Sequence, residues 1–113
     1  MLDNISRTEL SDLGEFGLIR KIKDSVTLLN PSSEKGIGDD AAVINFSDKR
    51  SLVSTDMLIE GVHFDLTYVP LKHLGYKSAV VNFSDIYAMN GSPKQILVSI
   101  ALSNRFSLEA VDE

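Results

Sequence analysis

Acidic side chains occur at three places in this sequence where they could bind a metal ion. Asp40 directly precedes an apolar run, and Asp85 lies within a long predicted helix. Asp56 follows Ser54 and Thr55, whose hydroxyl groups add two more oxygen donors. Mg²⁺ prefers such hard oxygen ligands and fills its other positions with water and phosphate oxygens. These residues therefore predict a Mg²⁺ site that would hold a nucleotide through the metal.

Other polar residues near these acids are secondary candidates, and simpler interpretations stay open for all of them. Asp39 lies beside Asp40, and Asn82 lies three residues before Asp85 on the same stripe of the predicted helix. Paired Asp residues in a Gly-containing loop are also common in turns, and a single helical Asp is commonly solvated or salt-bridged. His63, taken alone, is more typical of a packed or exposed imidazole than of a site residue.

The common nucleotide-binding motifs are missing from the sequence. The loop at Gly36 and Gly38 lacks the G-x-G-x-x-G pattern, and no Lys-Ser/Thr pair of a P-loop follows it. No protein-kinase signature is present either. Any phosphoryl transfer must therefore use a different scaffold.

Composition limits the classes of function that this sequence fits. With 113 residues, 43% of them hydrophobic, the chain is long enough for one small domain with one core. A net charge of −5 argues against non-specific binding to nucleic acid or to anionic membranes. The absence of Cys excludes disulfides and thiolate metal sites. The start, MLDNISRTEL, shows no secretory signal, so we expect a cytoplasmic protein.

Alternating and apolar runs predict a β-hairpin followed later by a third strand. Residues 41–46 (AAVINF) and 51–56 (SLVSTD) form the hairpin, joined by a turn at 47–50, while 30–38 are predicted to be a loop. Residues 94–102 (KQILVSIAL) predict a strand that is apolar on both faces, which must be covered on both. Helices can cover one face, and another domain or subunit must cover the other.

Three helices are predicted around these strands. The first runs from about Leu13 to Lys23 with Ser11 as its N-cap. The second begins at Pro70 and reaches about residue 90, where Gly91 suits the left-handed C′ position. The third begins after Ser107, which is a typical N-cap residue.

Four segments, taken together and in order, carry a resemblance to a known family. They are GEFGLI (14–19), GIGDDAAV (36–43), STDMLIEGVHF (54–64) and NFSDIYAMNGSP (82–93). The chain resembles, from about residue 13 to its end, the N-terminal domain of thiamine-monophosphate kinases, in the aminoimidazole ribonucleotide synthetase-like superfamily. The GVHF motif after STD favours this family over its relatives. Two departures, Phe83 for the usual Leu and AMNG for the usual AMGA, leave the acids unchanged.

The resemblance implies a reaction and a set of site residues. The family transfers the γ-phosphoryl group of ATP to thiamine monophosphate, giving thiamine diphosphate, by direct in-line transfer with Mg²⁺ and without a covalent nucleophile. His63 matches a substrate-binding position. The implied metal ligands are Asp40, Ser54, Thr55, Asp56 and Asp85.

The resemblance also implies an architecture and a partner. We expect an α/β (α+β) domain with a small mixed sheet and helices on one face, paired with a second copy across the sheet as a homodimer. Residues 1–113 would be an incomplete N-terminal ATP- and Mg²⁺-binding domain that lacks the C-terminal domain and is inactive alone. The alternatives are another ATP-using enzyme of the superfamily, or a non-catalytic dimerisation and metal-binding module.

Overall fold

The computed structural model describes residues 7–113. The prediction that the start, MLDNISRTEL, is not a secretory signal therefore falls partly outside the described residues. The described part contains three helices and three strands. In chain order they are α1 (Leu10–Ser25), β1 (Ser33–Lys35), β2 (Ala42–Asn45), β3 (Arg50–Val53), α2 (Leu71–Ala88) and α3 (Leu108–Asp112). The predicted α+β class is confirmed.

Strands β2 and β3 form the predicted hairpin. They pair antiparallel, with Ala42 opposite Val53 and Asn45 opposite Arg50. The turn between them is closed by a 2.8 Å hydrogen bond from the Phe46 amide to a carbonyl at position 49, and Asn45 Oδ1 accepts a 2.9 Å bond from the Ser47 amide. Ser47 adopts a left-handed φ of 73°, which this tight connection requires.

A third strand, β1, lies inside the segment predicted to be a loop. It pairs antiparallel with β2, giving the order β1-β2-β3, so the pairings between the strands are antiparallel where a mixed sheet was expected. The register shifts between Ser33 and Lys35, which marks a bulge. Three polar residues carry no periodic apolar signal, and β1 therefore could not be distinguished from a loop.

Helix α1 is longer than predicted and is interrupted. It begins at Leu10 with Glu9 as N-cap, so the assignment of Ser11 as N-cap was wrong. Gly14, at φ 66° and ψ 177°, breaks the helical geometry inside the element. A glycine adopts this conformation without the steric cost that a side chain would add.

Helix α2 ends in a Schellman motif whose left-handed residue is Asn90, where Gly91 was predicted. Asn90 has φ 58° and donates from its amide to the Tyr87 carbonyl at 2.9 Å, while the Gly91 amide donates to the Ile86 carbonyl at 2.9 Å. Gly91 suits its position for a different reason. A Cβ placed there would lie 2.5 Å from Leu52 Cδ1, so the glycine lets the end of α2 approach β3 closely.

Residues 94–102 do not form the predicted strand. This segment is neither helix nor strand, and its apolar side chains are exposed, from 48% for Ile96 to 100% for Leu97. A strand needs a hydrogen-bonded neighbour, and no other segment of residues 7–113 pairs with this one. The segment is apolar, as the sequence pattern indicates. The prediction that it forms a strand is wrong for residues 7–113.

The described residues form an open structure with little interior. Ala41 is the one buried apolar residue among them, at 4% exposure. The Cα radius of gyration is 18.7 Å, against about 13 Å for a compact domain of this length. Helix α3 forms as predicted, with the Ser107 side chain accepting a hydrogen bond from the Ala110 amide.

Candidate functional site

The end of β3 and the last turn of α2 meet through a side-chain hydrogen bond. Ser54, the first residue beyond β3, donates from Oγ to Asp85 Oδ2 at 3.0 Å. Both side chains are partly buried. Leu52, two residues before Ser54, lies close to Gly91 just beyond the end of α2. The predicted ligands Ser54 and Asp85, distant in sequence, are therefore neighbours in the structure.

Asp56 shares this site with Asp85. Partial burial raises the pKa of the Asp56 carboxyl, and the nearby Asp85 carboxyl raises it further. Two carboxylates that face each other disfavour ionisation of both, whereas a cation between them favours it. The Asp85 carboxyl is therefore close enough to Asp56 to act on its pKa.

His63 is held by a short loop of backbone hydrogen bonds. Its Nδ1 accepts a 2.9 Å bond from the Ile59 amide, and its own amide donates to the Ile59 carbonyl at 2.9 Å. Gly61 turns the loop at φ 77°, and its amide donates to the Phe64 carbonyl at 2.8 Å. Because Nδ1 accepts a hydrogen bond, the neutral imidazole carries its proton on Nε2.

A residue that the sequence reasoning missed anchors this loop to α2. Lys77 donates from Nζ to the His63 backbone carbonyl at 2.7 Å. The signal available in the sequence was a cation in the second turn of a helix otherwise rich in apolar residues. That signal is weak, since Lys on a helix is usually solvated.

The GDD loop is stabilised by local contacts of Asp39. Asp39 pairs with Lys35, and Asp39 Oδ1 accepts a 3.0 Å hydrogen bond from the Asp40 amide. The bond to Lys35 is the main reason that the pKa of Asp39 lies below its usual value. The Asp39 carboxylate therefore already has hydrogen-bond partners within the loop. The Asp40 side chain is exposed, and it directly precedes the buried Ala41.

The hairpin register places the GDD and STD motifs at the same end of the sheet. Ala42 is paired with Val53, Asp40 lies two residues before Ala42, and Ser54 begins directly after Val53. Both motifs therefore leave the hairpin on one side. Thr55 lies exposed between Ser54 and Asp56.

The donor set fits a hard divalent cation, although the acids are not gathered into a complete cage. Within residues 7–113, no group of three or more His, Asp or Glu side chains lies close enough to hold a metal ion. Asp56, Asp85 and Ser54 nevertheless offer two carboxylates and a hydroxyl, which is the oxygen chemistry that Mg²⁺ prefers. Asn82, a secondary candidate, donates its side-chain amide to the Ser78 carbonyl at 2.8 Å and is thus partly engaged within α2.

Comparison with known proteins shows consistent similarity to one family. The family profile described as AIR synthase related protein, N-terminal domain, matches residues 38–113. A thiamine-monophosphate kinase of Aquifex aeolicus is 41% identical over 103 residues, which cover 91% of this chain and 31% of that protein.

Two further relatives give the same result. Thiamine-monophosphate kinases of Bacillus subtilis and Corynebacterium glutamicum are 41% and 38% identical over 84% and 90% of this chain. The matches cover 29% and 30% of these two proteins, so the chain spans less than a third of the length of each relative. No solved structure gives a significant match. Among the described residues, no helix is long and apolar enough to cross a membrane.

Proposed function

The chain belongs to the AIR synthase related protein family, through its N-terminal domain, and from this we propose that the complete protein is a thiamine-monophosphate kinase. It transfers the γ-phosphoryl group of ATP to thiamine monophosphate and releases thiamine diphosphate and ADP. The observation that carries the proposal is the 3.0 Å hydrogen bond from Ser54 to Asp85, which brings the STD and NFSD motifs together. Relatives of that name at 38–41% identity support it.

The acids of the site would hold Mg²⁺, which when bound neutralises charge on the phosphate oxygens of ATP. Asp56 and Asp85 supply carboxylates, and Ser54 orients Asp85 through its 3.0 Å hydrogen bond. Asp40, Ser54 and Thr55 complete the proposed ligand set, which their position at the same end of the hairpin supports.

His63 would bind the phosphate of thiamine monophosphate. With Nδ1 engaged by the Ile59 amide, the ring can present Nε2–H as a hydrogen-bond donor. Direct in-line transfer depends on positioning and charge neutralisation and needs no covalent intermediate on the protein. The proposal therefore assigns no nucleophilic side chain.

The complete protein would be a cytoplasmic homodimer. The exposed apolar segment at 94–102 supports this in that it needs a covering surface, for which we propose a second copy, with another domain of the protein as the alternative. On this proposal, residues 1–113 provide the dimer contact and part of the ATP and Mg²⁺ site, and they are inactive without the rest of the protein.

The decisive experiment uses the complete reading frame with Mg²⁺, ATP and thiamine monophosphate. We expect chromatography to show thiamine diphosphate with the wild-type protein and almost none with Asp56→Asn. Asp48→Asn, an equivalent change in the exposed turn of the hairpin, is the matched control and should retain activity.

A folded wild-type protein that forms no thiamine diphosphate would contradict the proposal. ATP hydrolysis stimulated by a different phosphate-bearing or acyl substrate would then identify another ATP-using enzyme of the superfamily. No ATP hydrolysis with any such substrate would leave a non-catalytic dimerisation and metal-binding module.

A further inference from the structure

We infer that Lys77 is a positioning residue, which holds the His63 loop against α2 and so fixes the imidazole that receives the phosphate of the substrate. The inference rests on the proposed substrate-binding role of His63. The main evidence is the 2.7 Å hydrogen bond from Lys77 Nζ to the His63 backbone carbonyl. It joins two parts of the chain that are 14 residues apart.

The middle of the loop carries little apolar packing. Val62 and Ile59 are 71% and 47% exposed, and the half-buried apolar residues, Leu58 and Phe64, lie on either side of them. The loop keeps its internal shape through the Ile59–His63 and Gly61–Phe64 hydrogen bonds. Those bonds do not tie it to the rest of the structure, whereas the bond from Lys77 does.

The Lys77 contact has a geometry suited to this role. A hydrogen bond from an ammonium group is shorter and stronger than one between neutral groups, in accord with the 2.7 Å distance. It reaches the backbone of His63 and leaves the imidazole free to contact a ligand. Lys77 therefore influences the position of the His63 ring without contacting the ring itself.

The effect on the substrate depends on which ring nitrogen of His63 carries the proton. The Ile59 amide can engage Nδ1 only while the loop keeps its shape, and this engagement holds the proton on Nε2. Releasing the His63 carbonyl would loosen the loop and allow the other tautomer, whose Nε2 accepts rather than donates. A phosphate oxygen, which is an acceptor, would then lose its donor.

The test compares Lys77→Met with Lys77→Arg in the complete protein. We expect Lys77→Met to raise KM for thiamine monophosphate about tenfold, the loss of one charge-assisted hydrogen bond, with kcat and the KM for ATP nearly unchanged. Lys77→Arg should restore most of the affinity, because a guanidinium also donates to a carbonyl. Lys72→Met, which removes an exposed ammonium from the first turn of α2, should leave all three parameters unchanged.

A nuclear magnetic resonance measurement tests the same inference without turnover. Long-range ¹H–¹⁵N correlation spectra, with His63 assigned from its loss in His63→Gln, should show the Nε2–H tautomer in the wild type. Lys77→Met should show a mixture of tautomers, with circular dichroism confirming that the variant is folded.

The results separate the inference from the proposed function. An unchanged His63 tautomer in Lys77→Met would overturn the inference, whether or not the protein phosphorylates thiamine monophosphate. Equal increases in the two KM values would also overturn it. A changed tautomer in a protein inactive towards thiamine monophosphate would support the positioning role and overturn the proposed function instead.

Discussion

Ser54 and Asp85 lie 31 residues apart in the chain and are joined by a 3.0 Å hydrogen bond between Oγ and Oδ2. This contact links the end of a strand to the last turn of a helix. It brings the STD motif and the NFSD motif into one site and places the Asp85 carboxylate within range of Asp56.

Asp85→Asn in the complete protein should reduce turnover by about 100-fold or more, since it removes a carboxylate that would stabilise charge through the metal. The fold should persist, because Asn retains an oxygen that can accept the hydrogen bond from Ser54. Steady-state kinetics at saturating Mg²⁺ and thermal unfolding measure the two effects. Wild-type turnover in this variant would exclude Asp85 from the site.

Asp39→Asn and Asp40→Asn should differ sharply although the residues are adjacent. Asp39 is engaged by Lys35 and by the Asp40 amide, so its change should leave most of the turnover intact. Asp40 is the proposed ligand, and its change should raise the Mg²⁺ concentration needed for half-maximal activity. Titration of activity with Mg²⁺ compares them, and the reverse order of effects would make Asp39 the ligand.

The metal-free protein should lose stability as Asp56 ionises. Burial and the Asp85 carboxyl raise the pKa of Asp56 above its ordinary value of 3.8. The contribution of this group to stability is therefore greatest below pH 3.8, and it declines as the pH rises through the higher pKa of the folded state. Because Asp56 is largely exposed, we expect a small effect.

The measurement is the difference between the unfolding curves of the wild type and Asp56→Asn in a chelator, across this pH range. As the pH rises, the Asp56→Asn variant should become more stable relative to the wild type. Added Mg²⁺ should instead make the wild type the more stable of the two. A difference that is independent of pH would show that Asp56 ionises as it does in the unfolded chain.

Gly91→Ala should destabilise the fold by about 1–3 kcal/mol, which is typical of overpacking. The added Cβ would lie 2.5 Å from Leu52 Cδ1 and 3.2 Å from the Ile86 carbonyl oxygen. Gly75→Ala is the matched control, since its Cβ would meet nothing within 4 Å, and it should stabilise α2 by about 0.4–1 kcal/mol. Chemical denaturation measures both changes, and equal effects would contradict the close approach.

Val98→Lys should weaken self-association of the complete protein if the apolar segment at 94–102 forms the dimer contact. Val98 is 69% exposed, and a charge buried in an interface without a partner is costly. Leu29→Lys, at a site 88% exposed outside this segment, is the control. Sedimentation velocity distinguishes monomer from dimer. Identical behaviour of both variants would place the interface elsewhere.

The elements that could be predicted from sequence are those whose signals are local. The hairpin follows from two apolar runs around a polar turn, and α3 follows from the N-cap at Ser107. Segment 94–102 differs, because its strand geometry depends on a neighbour that residues 7–113 do not supply. The left-handed residue at the end of α2 was assigned to Gly91 on conformational grounds, whereas packing against Leu52 explains that glycine.

In the candidate site, too, residues with a signal in the sequence could be predicted, and a residue without one could not. The acids could be selected by residue type and resemblance, and Ser54, Asp56 and Asp85 do come together. Lys77 could not be selected, because its partner is a backbone carbonyl, which every residue carries and no sequence pattern marks.

The register of the β2–β3 hairpin has a consequence for how this sequence can diverge. The connection at 46–49 lies at the end of the sheet opposite the two acidic motifs, so residues added there would lengthen a loop without moving either motif. One residue added within β2 would instead turn every following side chain of that strand to the opposite face. Insertions and deletions should therefore be tolerated in the turn and selected against between Ala42 and Asn45.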